Sequence, residues 1–212
     1  MSETIAGITI PDTPLVHNIT TFVRERTDDL LFHHSRRVFL FGALQGQRLG
    51  LSADLELLYA GAMFHDLGLT EDYRDSQLRF EIDGAHAARD FLRDHGVPTN
   101  AVDTVWLAIA LHTTPGVPEF LAPEVALVTA GVETDVLGIG KDQLAATALD
   151  AVTAAHPRPG FKEQILQRFA EGNFHRPRTT FGNVNADVLA EFDPSFTRDN
   201  FVAIIRGNSW AD

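Results

Sequence analysis

Cysteine is absent from the 212-residue chain. Disulfide scaffolds, thiolate zinc sites, iron–sulfur clusters and cysteine nucleophiles are therefore excluded. Basic residues are scarce: 17 Lys plus Arg stand against 29 Asp plus Glu, a formal charge of −12. Such a surface repels phosphate backbones, so nucleic acid is not expected as a partner. No apolar run approaches the ~18 residues that span a bilayer, and no membrane partner is expected. Met1 to Gly7 lack the basic and then apolar pattern of a secretory signal, so the expected compartment is the cytoplasm. Internal repeats, low-complexity tracts and long linkers are missing too. A chain of this length is expected to form one domain and to bury roughly 70% of its unfolded surface. Strand-type alternation is nearly absent, which predicts an all-α fold.

Residues 1–15 read as an extended segment, restricted by Pro11 and Pro14. From about residue 16 the pattern is helical, with Leu31, Val38 and Phe41 at helical spacing and a stop near Gly50. Asp54 opens a second helix through Leu55, Leu58 and Ala62, with Gly68 as its stop. Residues 70–81 read as a polar loop. Asp83 then caps a helix running to about His95 before Gly96 and Pro98, and Asn100 caps the next, with Val102, Val105, Trp106 and Ile109 facing inward. After the break at Pro115–Pro118, Val125, Val128 and Val132 mark a helix ending near Gly138. Two more helices follow, from Asp142 to Ala155 and from Phe161 to Phe169, and the last forty residues read as short mixed segments.

Nine histidines stand against the missing cysteines. Position on the helices sorts them. His34 falls three residues after Leu31 and four before Val38, on one helical face. His65 follows Ala62 by three and Leu58 by seven; Asp66 follows Ala62 by four. His112 follows Ile109 by three and Val105 by seven, and Asp135 follows Val132 and Val128 likewise. Any one of these alone reads as a satisfied core histidine or as half of an ion pair. Together they put an imidazole or carboxylate on the inward faces of about four helices, and buried carboxylates need partners. A metal ion satisfies several of them at once, and nitrogen and oxygen donors suit zinc, iron, manganese, nickel or cobalt. His86 is off the line of Ala85, Ala88 and Leu92 and is ambiguous. His17, His33, His95, His156 and His175 fit no pattern and read as ordinary residues.

The order His34, then His65-Asp66, then Asp135 over successive helices resembles the HD-domain superfamily of metal-dependent phosphohydrolases. Several segments are similar to its cyanamide-hydratase-like branch: His34 to Phe39, Phe64 to Thr70, Arg79 to Ala85, and Ala110 to Thr114. The tail, Thr180 to Val184 and Asn200 to Val202, is similar too. The resemblance covers about residues 16–210. It implies a single all-helical HD domain with a C-terminal helical extension, and one metal held by His34, His65, Asp66 and Asp135. His86 and His112 together also resemble the two-metal HD subset of phosphohydrolases and diiron oxygenases. In that subset Asp66 bridges the ions, and His86 and His112 bind the second.

The expected cofactor is thus one divalent transition metal, zinc or iron, with two ions as the alternative. Bound water at such an ion is acidified toward a pKa of about 7. Adding the resulting hydroxide to a carbon–nitrogen triple bond is hydratase chemistry, which the resemblance implies; attack at phosphorus is phosphohydrolase chemistry. Arg79 could orient an anionic group through its guanidinium fork. Glu81 or Asp83 could move a proton or hold a ligand histidine, although for Asp83 a helix cap is the preferred reading. The expected catalytic residues are Asp66, Arg79, Glu81 and His112, and the expected substrate is a small molecule. A non-enzymatic module that keeps its metal for structure is the remaining alternative. Phe192, Phe196 and Trp210 could form a homo-oligomer interface or cover the core.

Overall fold

The computed structural model describes residues 3–207 and Ser209. Its elements are almost all helical: α1 (Pro14–Arg24), α2 (Asp29–Leu49), α3 (Leu55–Phe64), α4 (Phe80–Asp94), α5 (Thr99–Leu111), α6 (Pro123–Val132), α7 (Ala146–Ala155), α8 (Phe161–Asn173), α9 (Asn185–Phe192) and α10 (Phe201–Gly207). The N-terminal segment is extended, as expected, and folds back as a small antiparallel hairpin, β1 (Thr4–Ile5) with β2 (Ile8–Thr9). The fold is all-α apart from this hairpin. No described helix is long and apolar enough to cross a membrane.

The first three helices start where short polar side chains accept from the otherwise unpaired backbone donors of the first turn. Thr13 accepts from the Val16 amide, with Pro14 as the first helical residue of α1. Asp28 caps α2 through the Leu31 amide, and Asp54 caps α3 through the amides of Glu56 and Leu57. The helical pattern read from residue 16 to Gly50 is two helices, since Asp28 restarts it. Asp83 is not a cap. It lies inside α4 and accepts from Ser76 Oγ at 2.8 Å and from the Arg176 guanidinium.

α2 is the axis of the molecule. Every residue from His34 to Gly46 is buried, so this helix is enclosed on all sides and its polar groups need internal partners. It crosses α6 closely enough that neither backbone tolerates a side chain there. A Cβ on Gly42 would stand 2.5 Å from the Leu127 carbonyl oxygen, and one on Gly131 2.2 Å from that of Val38. The main core gathers α1 to α6 around α2. A smaller apolar cluster of Leu31, Leu69, Phe80, Phe161 and Ile165 joins α2, α4 and α8.

Candidate metal centre

The chain builds its inner cluster from helix ends. His65 is the residue at which α3 stops, and His112 the residue at which α5 stops. Each ring donates from Nδ1 to the carbonyl three residues earlier: His65 to Ala62 and His112 to Ile109, both at 2.7 Å. His34 sits within α2 and donates from Nδ1 to Asp135 Oδ2, also at 2.7 Å. A carbonyl or carboxylate only accepts, so all three Nδ1 atoms carry protons. The Nε2 lone pairs face inward. His34 and His65 Nε2 lie 3.2 Å apart. Asp66 Oδ2 lies 3.5 Å from His34 Nε2 and 3.3 Å from His65 Nε2, and Asp66 Oδ1 lies 3.6 Å from His112 Nε2.

All four residues are buried, and neither Asp66 oxygen has a hydrogen-bond partner among the described residues. A buried ionised carboxylate without partners is costly, and two imidazole lone pairs 3.2 Å apart repel unless a cation lies between them. Burial alone would raise the Asp66 carboxyl; the neighbouring His65, His112 and His34 together outweigh it and hold Asp66 well below the usual carboxylate range. Burial pushes the His65 imidazole down, and Asp66 overcomes that and raises it. His34 behaves oppositely: burial lowers it despite Asp135. A proton on His65 is thus one way to place positive charge in the cluster. A divalent ion is the other. Two ligands each about 2.1 Å from one tetrahedral ion stand about 3.4 Å apart, which the separations of His34, His65 and Asp66 match. These three residues can hold a metal ion. His112 borders the same space.

Two of the expected ligands lie elsewhere. Asp135 stands behind His34 rather than beside it. It sits on a widened turn, Glu133–Leu137, that ends α6 with π-helical bonding. Both its oxygens are engaged. Oδ1 accepts from Arg37 Nε at 2.8 Å and meets Arg158 Nε at 2.9 Å, while Oδ2 accepts from Arg37 Nη2 at 2.9 Å and from His34. His34 and Arg37 hold this carboxyl well below its usual range, against its burial. Its hydrogen bond fixes the orientation and tautomer of the His34 ring. His86 does not join the cluster either. It is half-buried, with its ring 6.1 Å from that of Trp106 on α5. Among the described residues the second donor set of a two-metal site is not assembled.

Arg79 and Glu81 form a polar knot next to His112. Glu81 is buried and accepts from Arg79 Nη2 at 2.8 Å, from Asn183 Nδ2 at 3.0 Å and from the Thr113 hydroxyl. Burial would raise Glu81, but Arg79, His112 and Thr113 lower it. Arg79 also reaches Thr113 Oγ1 at 3.2 Å, so its guanidinium is partly committed.

Several residues of the site carried no role in the sequence reading. Arg37 follows His34 by one helical turn, a spacing that could have found it. Arg158 and Asn183 come from connections and Asn185 opens α9, and no local pattern gives their positions relative to the cluster. Arg176 is buried and donates to the carbonyls of Leu78 at 2.9 Å, Gly68 at 2.7 Å and Gly172 at 2.7 Å, and to Asp83. It thereby ties the segment after α8 to the turn that carries Asp66. His156 is not an ordinary surface residue: it is buried, accepting from Arg36 Nε at 3.3 Å and facing His33 Nδ1 at 3.1 Å. Phe192 and Phe196 are half-buried, and Trp210 lies outside the described residues.

Comparison with known proteins bears on the same residues. The family model described as HD domain matches residues 31–155, which include the whole imidazole–carboxylate cluster. No curated protein matches the chain. The match covers more than half of the sequence, and with an all-helical fold built around a His-Asp pair the chain belongs to the HD domain family, whose members are mostly metal-dependent hydrolases.

Proposed function

We propose that this protein is a metal-dependent hydrolase or hydratase acting on a small molecule, with water addition to a nitrile-like group, as in the cyanamide-hydratase branch, as its specific reaction. The observation that carries the metal dependence is the Asp66 carboxylate, buried without a hydrogen bond and faced by three Nε2 lone pairs. His34, His65 and Asp66 would hold the ion, with His112 at its border. When bound, the ion supplies a Lewis acid and acidifies water toward a pKa of about 7.

The protein's own residues do the positioning. Asp135 keeps the His34 ring in its Nδ1–H form, and Arg37 keeps Asp135 ionised. The carbonyls of Ala62 and Ile109 fix the His65 and His112 rings in the same way. His112, when its Nε2 is not engaged, is the group able to take a proton from an adding water molecule. Glu81 and Arg79 hold Thr113 beside it, and Arg79, about a third exposed, is the cation that a polar substrate would meet first. The rings of Phe161 and Phe80, 5.2 Å from His34 and 5.6 Å from His112, keep bulk water away from the cluster.

The reading assigns one ion. A diiron oxygenase needs a second set of donors, and His86 lies against Trp106 instead. Phosphohydrolase chemistry uses the same single centre and is the nearer alternative. Elemental analysis of protein purified without chelator tests the centre: close to one equivalent of transition metal is expected, and less than about one-tenth would sink it. Assays of urea formation from cyanamide and of phosphate release from nucleoside monophosphates then separate the reactions. Phosphate release without urea formation would overturn the hydratase assignment.

A further inference from the structure

Lysine is the rarest cation in this chain; there are two, Lys141 and Lys162. Both line the same cavity, of about 290 Å³, on the far side of Asp135 from the metal cluster. Lys141 precedes α7, and Lys162 lies in the first turn of α8. Arg158, from the connection between those two helices, completes the lining on the Asp135 side. Three cations are thus gathered at one cavity of a protein whose net charge is −12.

The one carboxylate in that lining does not cancel them. Asp135 is already neutralised by Arg37, which grips both its oxygens, so Arg158 is a second cation on a single anion. Arg158 also donates from Nη2 to the Asp135 carbonyl at 2.5 Å, which holds it at the cavity wall. Neither lysine makes a side-chain ion pair or hydrogen bond among the described residues, and both are exposed. Asp142 and Glu163, their neighbours in sequence, are not in the lining. Charges of one sign gathered in a concave site focus the field and concentrate counter-ions there.

We propose that this cavity is a binding site for a small oxyanion of the phosphate type, held by Lys141, Lys162 and Arg158. Typical ligand pockets enclose roughly 300–1,000 Å³, so this one, at about 290 Å³, has room for a phosphate group, free or on a small molecule. Two lysines supply point charges, and Arg158 supplies donors of fixed direction. The site stands whether or not the metal reading does, because none of its cations belongs to the cluster.

Calorimetric titration of the full chain with inorganic phosphate, and separately with methylphosphonate, tests it at ionic strength matched with sodium chloride. One saturable equivalent is expected for the wild type and for Asp66→Asn, which disables the metal centre. Tighter phosphate binding would identify the free ion as the ligand, and tighter methylphosphonate binding a phosphorylated small molecule; either supports the site. The double variant K141Q/K162Q should bind at least about tenfold more weakly at an unchanged unfolding midpoint. Unchanged affinity in that variant, heat no greater than that of added chloride, or loss of binding in Asp66→Asn would each overturn the proposal.

Discussion

His65 and His112 meet ring edge to ring face, with centroids 4.9 Å apart and planes at 89°, and each is pinned by a 2.7 Å bond from Nδ1 to the carbonyl three residues earlier. The ends of α3 and α5 therefore solve one problem twice. A helix end has spare carbonyls, and here a histidine takes one up while aiming its other nitrogen inward. The tautomer is set by the backbone. In nitrogen NMR spectra, zinc addition should shift the Nε2 resonances of His34, His65 and His112 and leave those of His86 in place. A response from His86 would restore the two-metal arrangement.

The Asp66 carboxylate makes no hydrogen bond among the described residues, and on the proposed function its charge serves an ion rather than the fold. In Asp66→Asn the metal content should fall below about one-tenth of an equivalent. The metal-free variant should unfold within about 1 kcal/mol of the metal-free wild type. Chelation should lower the wild-type Tm, because a ligand bound only to the native state stabilises it, and should leave the variant unaffected. Thermal melts with and without chelator read both effects.

Asp135 is the one anion between His34, Arg37 and Arg158. Asp135→Asn leaves Arg37 buried without a countercharge, which should cost about 3–5 kcal/mol. It also releases His34 from its orienting partner, which should weaken metal binding about 10–100-fold. Urea unfolding and a competition titration with a metal-binding dye measure the two losses separately.

His156 gives a pH signature. Burial, helped by Arg36 and His33, pushes its imidazole down to about 3. The unfolded chain titrates near 6.5, so between those values the unfolded state binds a proton that the native state does not. Stability contributed by neutral His156 is complete above about 6.5 and is lost as the pH falls from there toward 3. Unfolding midpoints compared at neutral pH and at mildly acidic pH should drop less for His156→Gln than for the wild type. An equal drop would sink this assignment.

Arg176→Met should cost about 3–5 kcal/mol, because it strands Asp83 in the interior. Adding Asp83→Asn should recover part of the loss, as a double-mutant cycle in urea would read.

Much of this was legible in the sequence, for one physical reason. Inward-facing positions of a helix recur at fixed spacing, so a polar residue on an apolar stripe betrays itself. That logic placed His34, His65, Asp66, His112 and Asp135 in the interior, where they lie. It could not say that Asp135 stands behind His34, since the widened turn at Glu133–Leu137 departs from the spacing that the stripe assumes. His86 entered through resemblance rather than periodicity, and its ring packs on Trp106. Asp83 looked like a cap because its true partner, Arg176, lies 93 residues further on. His156 looked ordinary because what buries it comes from α2, more than a hundred residues upstream.

That 93-residue separation has a consequence for the chain as it is made. At about 5–20 residues per second, Asp83 emerges roughly 5–20 s before the guanidinium that neutralises it. During that interval Asp83 on α4 lacks the cation that neutralises it, and the Gly68 carbonyl beside the His-Asp pair lacks its Arg176 donor. The stretch that the family model matches, residues 31–155, is complete before Arg176 exists. The cage for the ion is therefore locked from behind, by a residue translated after all of its own parts.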